Sequence, residues 1–340
     1  MSQAAGGAQR PLTLAFAGDV MPGRDVEAAL ATRPPESFWG PFLPILRDAD
    51  LALCNLEAPI TTSNEKWPGR KTFKFKASPH TLAILQAANI KLVGLANNHT
   101  GDYGQRGLLD SFEHLARAGI AWCGAGATLD AARRPALLER RGLRLAVAGF
   151  SDRMPEYQAT ATTPGHAFVW PPAGTAAVPE ILAPFQGLGA DLKLMSIHWG
   201  ADLLKRPLAS RRAFARALVA GGIDVIHGHS SHMTHGVEVI DGRPVIYDNG
   251  NAIQDFWIYL WPWTQRSAIF VLEIGQDGSR LRQIPAVTRG LRLSRPDPRL
   301  LDRMLKRYAG LSAGLGNRVS LEDGELVTRL DLKLPRPPVA

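Results

Sequence analysis

Apolar residues in this chain gather into short runs, and several of those runs stop at a polar residue that the end of a buried strand would expose. Residues 12–17 predict an opening strand and 50–55 a second, with a helix over 24–32 between them. Ser78 has the chemistry of an N-cap ahead of a helix running to 88; a strand at 91–95 and a helix from about 104 to 118 follow. Such alternation predicts a parallel core. Gly142 separates two apolar runs, 135–140 and 143–150, as in a hairpin. Residues 151–178, rich in Pro, Thr and Ala without a period, are long for a loop inside a compact domain and predict a lid or a disordered excursion.

The alternation restarts with a strand at 191–198, a helix at 210–220 and a strand at 223–228. Two Asp-Gly pairs, Asp241-Gly242 and Asp277-Gly278, then predict hairpins. A helix at about 298–308 and a strand near 326–332 complete two mixed sheets flanked by helices, an α/β fold. One domain is expected over 12–290, with 291–334 packing on it and with 1–11 and 335–340 disordered.

Composition narrows this picture mainly by exclusion. An apolar fraction of 45% over 340 residues suits a globular protein with a sizeable core. The longest apolar runs are strand-sized, well short of the ~20 residues that cross a bilayer, so no transmembrane segment is expected. The first eleven residues lack the apolar stretch of a signal peptide, and a cytoplasmic location is expected. Cys54 and Cys123 lie in apolar strand-like contexts without paired spacing, which predicts core packing and excludes a thiolate metal site. The net charge of +8 is dispersed over 30 Arg and 9 Lys, so no nucleic-acid partner is expected. The densest basic stretch, 280–307, is broken by prolines and reads as a solvated face.

Candidate chemistry sits at the strand ends. Gly18 frees the backbone to turn and aims Asp19 out of the sheet, although Gly-Asp is also a common turn. Asn97 and Asn98 have turn and cap readings of their own, whereas His99 has polar neighbours and no apolar face to fill. Asp102 reads as a helix N-cap. His227, His229, His232 and His235 crowd nine residues, the density of a metal site; alternation puts His227 and His229 on one side of a strand, so spacing leaves open which two are ligands. His198 ends a strand, and Glu57 follows one just before a proline turn. Together these residues offer the mixed nitrogen and oxygen donors that suit Mn, Fe or Zn. Arg24 offers either a bidentate contact to an anionic substrate or a surface salt bridge.

Five blocks in order, GDVMPGR, CNLEAPIT, LANNHTGDYG, IHWGAD and DVIHGHSSH, resemble the CapA family of capsule-synthesis proteins, associated with poly-γ-glutamate and sharing the fold of calcineurin-like metallophosphoesterases. The resemblance runs from about Thr13 to Asn251. It implies a four-layer α/β/β/α sandwich holding one or two divalent ions. Asp19 would be a first-site ligand, Glu57 would stand at the bridging acid, Asn98 would serve the second ion, and His99 would be the general acid. His198, His229 and His232 would complete the shell. Three departures stand out: Met21 where phosphoesterases carry a histidine, GHSSH in place of GH-H-P-H, and YDNGNA in place of Tyr-Ser-Leu-Gly-Asn-Phe. The resemblance implies a metal-dependent hydrolase of a phosphoester or a γ-glutamyl or other amide bond, with an anionic small molecule or polymer as substrate. The alternative is an accessory protein that binds the polymer without cleaving it.

Overall fold

The computed structural model describes residues 10–170, 175–255, 262–276 and 278–334. Apart from Arg10 and Pro11, the end segments expected to be disordered lie outside them. The first half of the chain supplies β1 (Leu12–Val20), β2 (Leu51–Leu56), β3 (Ile90–Gly94), β4 (Ala121–Cys123), β5 (Ala125–Gly126), β6 (Ala136–Arg140), β7 (Leu143–Ser151) and β8 (Gly165–His166). The second supplies β9 (Leu192–His198), β10 (Val225–His229), β11 (Val237–Ile240), β12 (Arg243–Ile246), β13 (Asn251–Ile253), β14 (Arg266–Ile274), β15 (Ser279–Arg289), β16 (Arg292–Ser294), β17 (Ser320–Glu322) and β18 (Glu325–Leu330). The helices are α1 (Arg24–Leu30), α2 (Leu43–Asp48), α3 (Leu82–Ala87), α4 (Gly104–Arg117), α5 (Leu129–Arg133), α6 (Val178–Leu182), α7 (Ala209–Ala220) and α8 (Pro298–Ala313).

Both large sheets are mixed. In the first, β1 to β4 run parallel and side by side; β1 also takes antiparallel β14 along its length and parallel β13 at its end, and β15, β18 and β17 extend the edge. The second has the order β11-β12-β10-β9-β7-β6, with a parallel centre of β12, β10, β9 and β7. Its two hairpin turns, Arg141-Gly142 and Asp241-Gly242, have positive φ at both central residues, the type I′ geometry that matches strand twist. Strands β14 and β15 also pair antiparallel, with Asp277 outside the described residues.

Period-two patterning decides what each face buries. Leu12, Leu14 and Phe16 of β1 join Leu53 and Leu92 and meet Leu145, Leu194, Val225 and Ile246 of the second sheet in one apolar cluster, so the two sheets share a core. The alternate residues Ala15, Ala17, Ala52 and Val93 instead meet side chains of α1 to α4, among them Val26, Leu46, Leu85 and Leu108. On the second sheet, Ala146, Ala148, Met195 and Ile197 pack with Ile181 of α6 and Phe214 and Leu218 of α7. Each fully buried Leu or Phe contributes roughly 1.5–3 kcal/mol, which makes the shared core the main source of rigidity under the strand ends. Cys54 and Cys123 are free and buried in these cores.

Three local readings are corrected. Asp102 does not cap α4, whose N-cap is Tyr103 with no side-chain bond; it is drawn into long-range contacts instead. Ser78 precedes a 3-10 turn, Pro79–Thr81, rather than the α-helix itself. Residues 151–170 are no free excursion: β8 pairs with β5, and Tyr157, Ala159 and Ala167 are buried. Among the described residues no helix is long and apolar enough to cross a membrane.

Strand β1 is irregular where it matters most. Its register with β2 shifts between Phe16 and Asp19, leaving the carbonyls of Phe16 and Ala17 to be met from elsewhere: Asn249 Nδ2 donates to the first at 3.0 Å, and His227 Nε2 lies 3.1 Å from the second. A Cβ on Gly18 would fall 1.7 Å from the Gly250 carbonyl oxygen. Gly18→Ala is therefore expected to cost at least about 2 kcal/mol in chemical denaturation, because two backbones must separate; an unchanged midpoint would refute this account of the bulge.

His166 of β8 gives a pH signature. Burial pushes it down to about 4, while the unfolded side chain titrates near 6.5, so the unfolded state binds more protons between those values. Its contribution to stability is full above about pH 6.5 and is lost as pH falls toward 4. His166→Gln should flatten the acid slope of the unfolding free energy by about one proton; an unaltered slope would contradict the assignment.

Candidate metal centre

The C-terminal ends of the central strands of both sheets converge, and each delivers one polar residue there. Asp19 comes from the end of β1, Glu57 from just beyond β2, His198 and His229 from the last positions of the paired strands β9 and β10, and His232 from the following loop. One ligand atom each from Asp19, His198 and His229 lie within 4.8 Å of one another, and so do atoms of Asp19, Glu57 and His232. Asp19 is common to both groups. His198 Nδ1 and His229 Nδ1 are 2.9 Å apart, His232 Nδ1 is 3.0 Å from Asp19 Oδ2, and Glu57 Oε1 is 3.9 Å from Nε2 of both His198 and His232.

Neighbours fix these side chains in place. Asn55 donates to Asp19 Oδ1 at 2.8 Å and is itself held by Asn97, whose Nδ2 lies 3.0 Å from Asn55 Oδ1. Ser196 Oγ sits 3.1 Å from His229 Nε2, and Asn251 Oδ1 2.8 Å from His232 Nδ1. The loop after β10 is strained, with Ser230 and His232 both at positive φ. Asp248 holds it, accepting from the backbone and hydroxyl of Ser231 and from the backbone of Gly250. The YDNGNA departure thus serves the loop. His227 faces the same side as His229, but its Nε2 is occupied by the Ala17 carbonyl; His235 turns to the Leu204 carbonyl at 2.8 Å.

Burial and mutual charge set the protonation of the centre. Burial, and then the Asp19 charge, push Glu57 well above the usual carboxylate range. Burial opposes a charged His232, yet Glu57 and Asp19 prevail and raise it to about 10. For Asp19 burial acts upward, but the close approach of His232 outweighs it and holds the carboxyl low. Burial drives His198 far below its ordinary value and His229 to about 4, so both imidazoles present neutral nitrogen lone pairs. Both oxygens of Glu57, Asp19 Oδ2, His198 Nε2 and Asn98 Oδ1 are buried without a hydrogen-bond partner. Buried acceptors left without a donor are costly unless a cation satisfies them. The residues fit a divalent ion: one donor atom each from Asp19, His198 and His229 lies within 4.8 Å of the others, and the donors combine carboxylate oxygen with neutral imidazole nitrogen.

Beside this centre is a second assembly that the sequence did not disclose. His99 Nδ1 lies 2.6 Å from Asp102 Oδ2. Asp102 also accepts from Lys71 Nζ at 2.5 Å, Tyr157 OH at 3.0 Å and the Phe75 backbone at 2.7 Å. Burial lowers His99 to about 4. Lys71 also donates to the Asn98 carbonyl, fixing the segment that carries Asn98 and His99. The Phe75 ring lies tilted against His99, centroids 4.4 Å apart, and, with Ala58, packs against Met21. Arg24 lies over the same Phe75 ring at 5.7 Å and pairs with Asp255 at 3.3 Å. Asn55, Lys71 and Tyr157 carry no local signal, since their partners are 36, 31 and 55 residues away.

Residues 13–256 match the family described as bacterial capsule synthesis protein PGA_cap. A probable polyglutamine synthesis accessory protein of Mycobacterium tuberculosis is 36% identical over 227 residues, covering 64% of this chain and 60% of that protein. The PGA biosynthesis protein CapA of Bacillus subtilis is 30% identical over 273 residues, covering 79% of this chain and 69% of that protein. The chain therefore spans only part of the length of these relatives. A hypothetical protein of Thermus thermophilus of known structure is 16% identical, with a TM-score of 0.42 over 83% of this chain and 96% of its own, too distant to bear on the site. The family match takes in every residue of both metal groups and most of the two central sheets, and by it the chain belongs to the CapA family of bacterial capsule synthesis proteins.

Proposed function

We propose that this chain is a metal-dependent hydrolase of an anionic substrate, acting on a phosphoester or a γ-glutamyl or other amide bond in capsule or poly-γ-glutamate metabolism. The observation that carries the reading is the pair of buried donor groups sharing Asp19, with a histidine–carboxylate pair alongside. The two facing sheets and their outer helices are read as the four-layer α/β/β/α sandwich of metallophosphoesterases.

In this reading Asp19, Glu57, Asn98, His198, His229 and His232 hold one or two ions, and their oxygen and nitrogen donors suit Mn, Fe or Zn. A divalent ion held there supplies Lewis acidity and acidifies water near neutral pH. The protein's own part is proton handling and orientation. With Nδ1 committed to Asp102, His99 rests neutral; it would take at Nε2 the proton that the attacking water gives up and deliver it to the leaving group, the imidazolium being stabilised by Asp102 as the proton arrives. Lys71 and Tyr157 keep Asp102 ionised and oriented. Arg24 would exchange Asp255 for an anionic group of the substrate. A second reading, an accessory protein that binds polymer without cleaving it, is favoured by the mycobacterial relative's description as an accessory protein.

Screening the purified protein on phosphoesters and γ-glutamyl peptides, with and without Mn, is expected to find Mn-dependent hydrolysis of one class. His99→Ala should lower that turnover by roughly 10²–10⁴-fold with metal content near wild type. Full metal content and polymer binding without hydrolysis would favour the accessory reading, and loss of metal in His99→Ala would move His99 among the ligands.

A further inference from the structure

A cavity of about 240 Å³ is floored by Met233 and Thr234, which directly follow His232 in the loop after β10, and by the buried Tyr308 of α8. Three cations line it from three separate elements: Lys205 from the loop after β9, Arg266 from the first position of β14, and Arg307 from α8. Among the described residues no carboxylate lines it, and none of the three cations lies within ion-pair distance of one. The apolar part of the lining is the half-exposed Trp263 and the buried Met233. Its floor is fastened: Thr234 Oγ1 donates to the Asn249 carbonyl at 2.9 Å, and Tyr308 OH lies 3.4 Å from the Ser267 carbonyl.

Cations left unpaired around a cavity repel one another and favour an anion between them. Cations on three elements share this lining with an indole ring and a thioether, a combination that suits carboxylates spaced by methylene groups better than one compact phosphate, which would leave the apolar lining uncovered. We propose that this cavity is a subsite for a polycarboxylate chain, with Arg266 and Arg307 taking successive carboxylates, Lys205 adding charge at the rim, and Trp263 and Met233 covering the aliphatic spacers. The subsite extends the reading of the chain as a protein that handles an anionic polymer, since Met233 and Thr234 couple it through the backbone to His232.

Binding of a short γ-linked oligoglutamate to the Mn-loaded full chain, followed by calorimetry and by Trp fluorescence, tests this without requiring turnover. Arg307→Ala and Arg266→Ala are each expected to weaken binding about 10-fold or more, and added salt to weaken it further. Arg307 is exposed and outside any ion pair among the described residues, so Arg307→Ala should fold; an unchanged thermal midpoint checks this. Arg307→Ala should leave Mn content unchanged, so failure of the hydrolase reading, seen as no Mn-dependent turnover, and failure of the subsite, seen as unaltered oligoglutamate binding in both Arg variants, are told apart. The subsite is overturned if the wild type does not bind, if both Arg variants bind as tightly as it does, or if inorganic phosphate displaces the oligomer at equal concentration.

Discussion

Two carboxylates, Asp19 and Glu57, are buried within a few ångströms of each other, and the local structure answers that charge. Bringing both out of water is unfavourable unless positive charge joins them. His232 responds in the protein alone, its protonated form held to about pH 10 by the facing acids. One imidazolium does not satisfy the set, because both Glu57 oxygens still lack hydrogen bonds. The neutral nitrogens of His198 and His229 add lone pairs to the same place, which makes a divalent cation the natural complement.

Much of the surrounding fold can be understood as holding that arrangement. The register shift in β1 turns Asp19 off the strand, and the close approach of Gly18 to Gly250 leaves no room for a side chain. His227 and Asn249 take up the carbonyls that the shift releases, tying the sheets together where Asp19, His198 and His229 meet. Positive φ at Ser230 and His232 is costly, and Asp248 bonds the loop on both sides of that strain. Small residues at Ala15, Ala17 and Ala52 let the helices come close on the outer face, while Leu14 and Phe16 bring the second sheet near on the inner.

The sequence reveals those parts that local pattern controls. Parallel strands ending in Asp19, His198 and His229 are legible because each of these residues follows an apolar run, and the two type I′ hairpins because Gly follows Asp or Arg at the turn. The supporting cast is not legible. Asp102 looks like a cap since an acid just ahead of a helix usually is one; only the fold brings Lys71 and Tyr157 to it. Alternation puts His227 and His229 on one side, and it takes the depth of each in the sheet interface to separate a backbone tie from a ligand position. The segment 151–170 lacks periodicity because it is held by isolated contacts, such as Tyr157 on Asp102 and His166 on the Asn97 carbonyl, rather than by a repeating face.

Because Asp19 belongs to both donor groups and Glu57 to one, titrating metal-stripped protein with Mn in a calorimeter addresses the central claim directly. The account predicts that Asp19→Asn weakens all Mn binding by more than about 100-fold, whereas Glu57→Gln removes or weakens one site and spares the other. Asp19→Asn binding Mn with wild-type stoichiometry and affinity would contradict it.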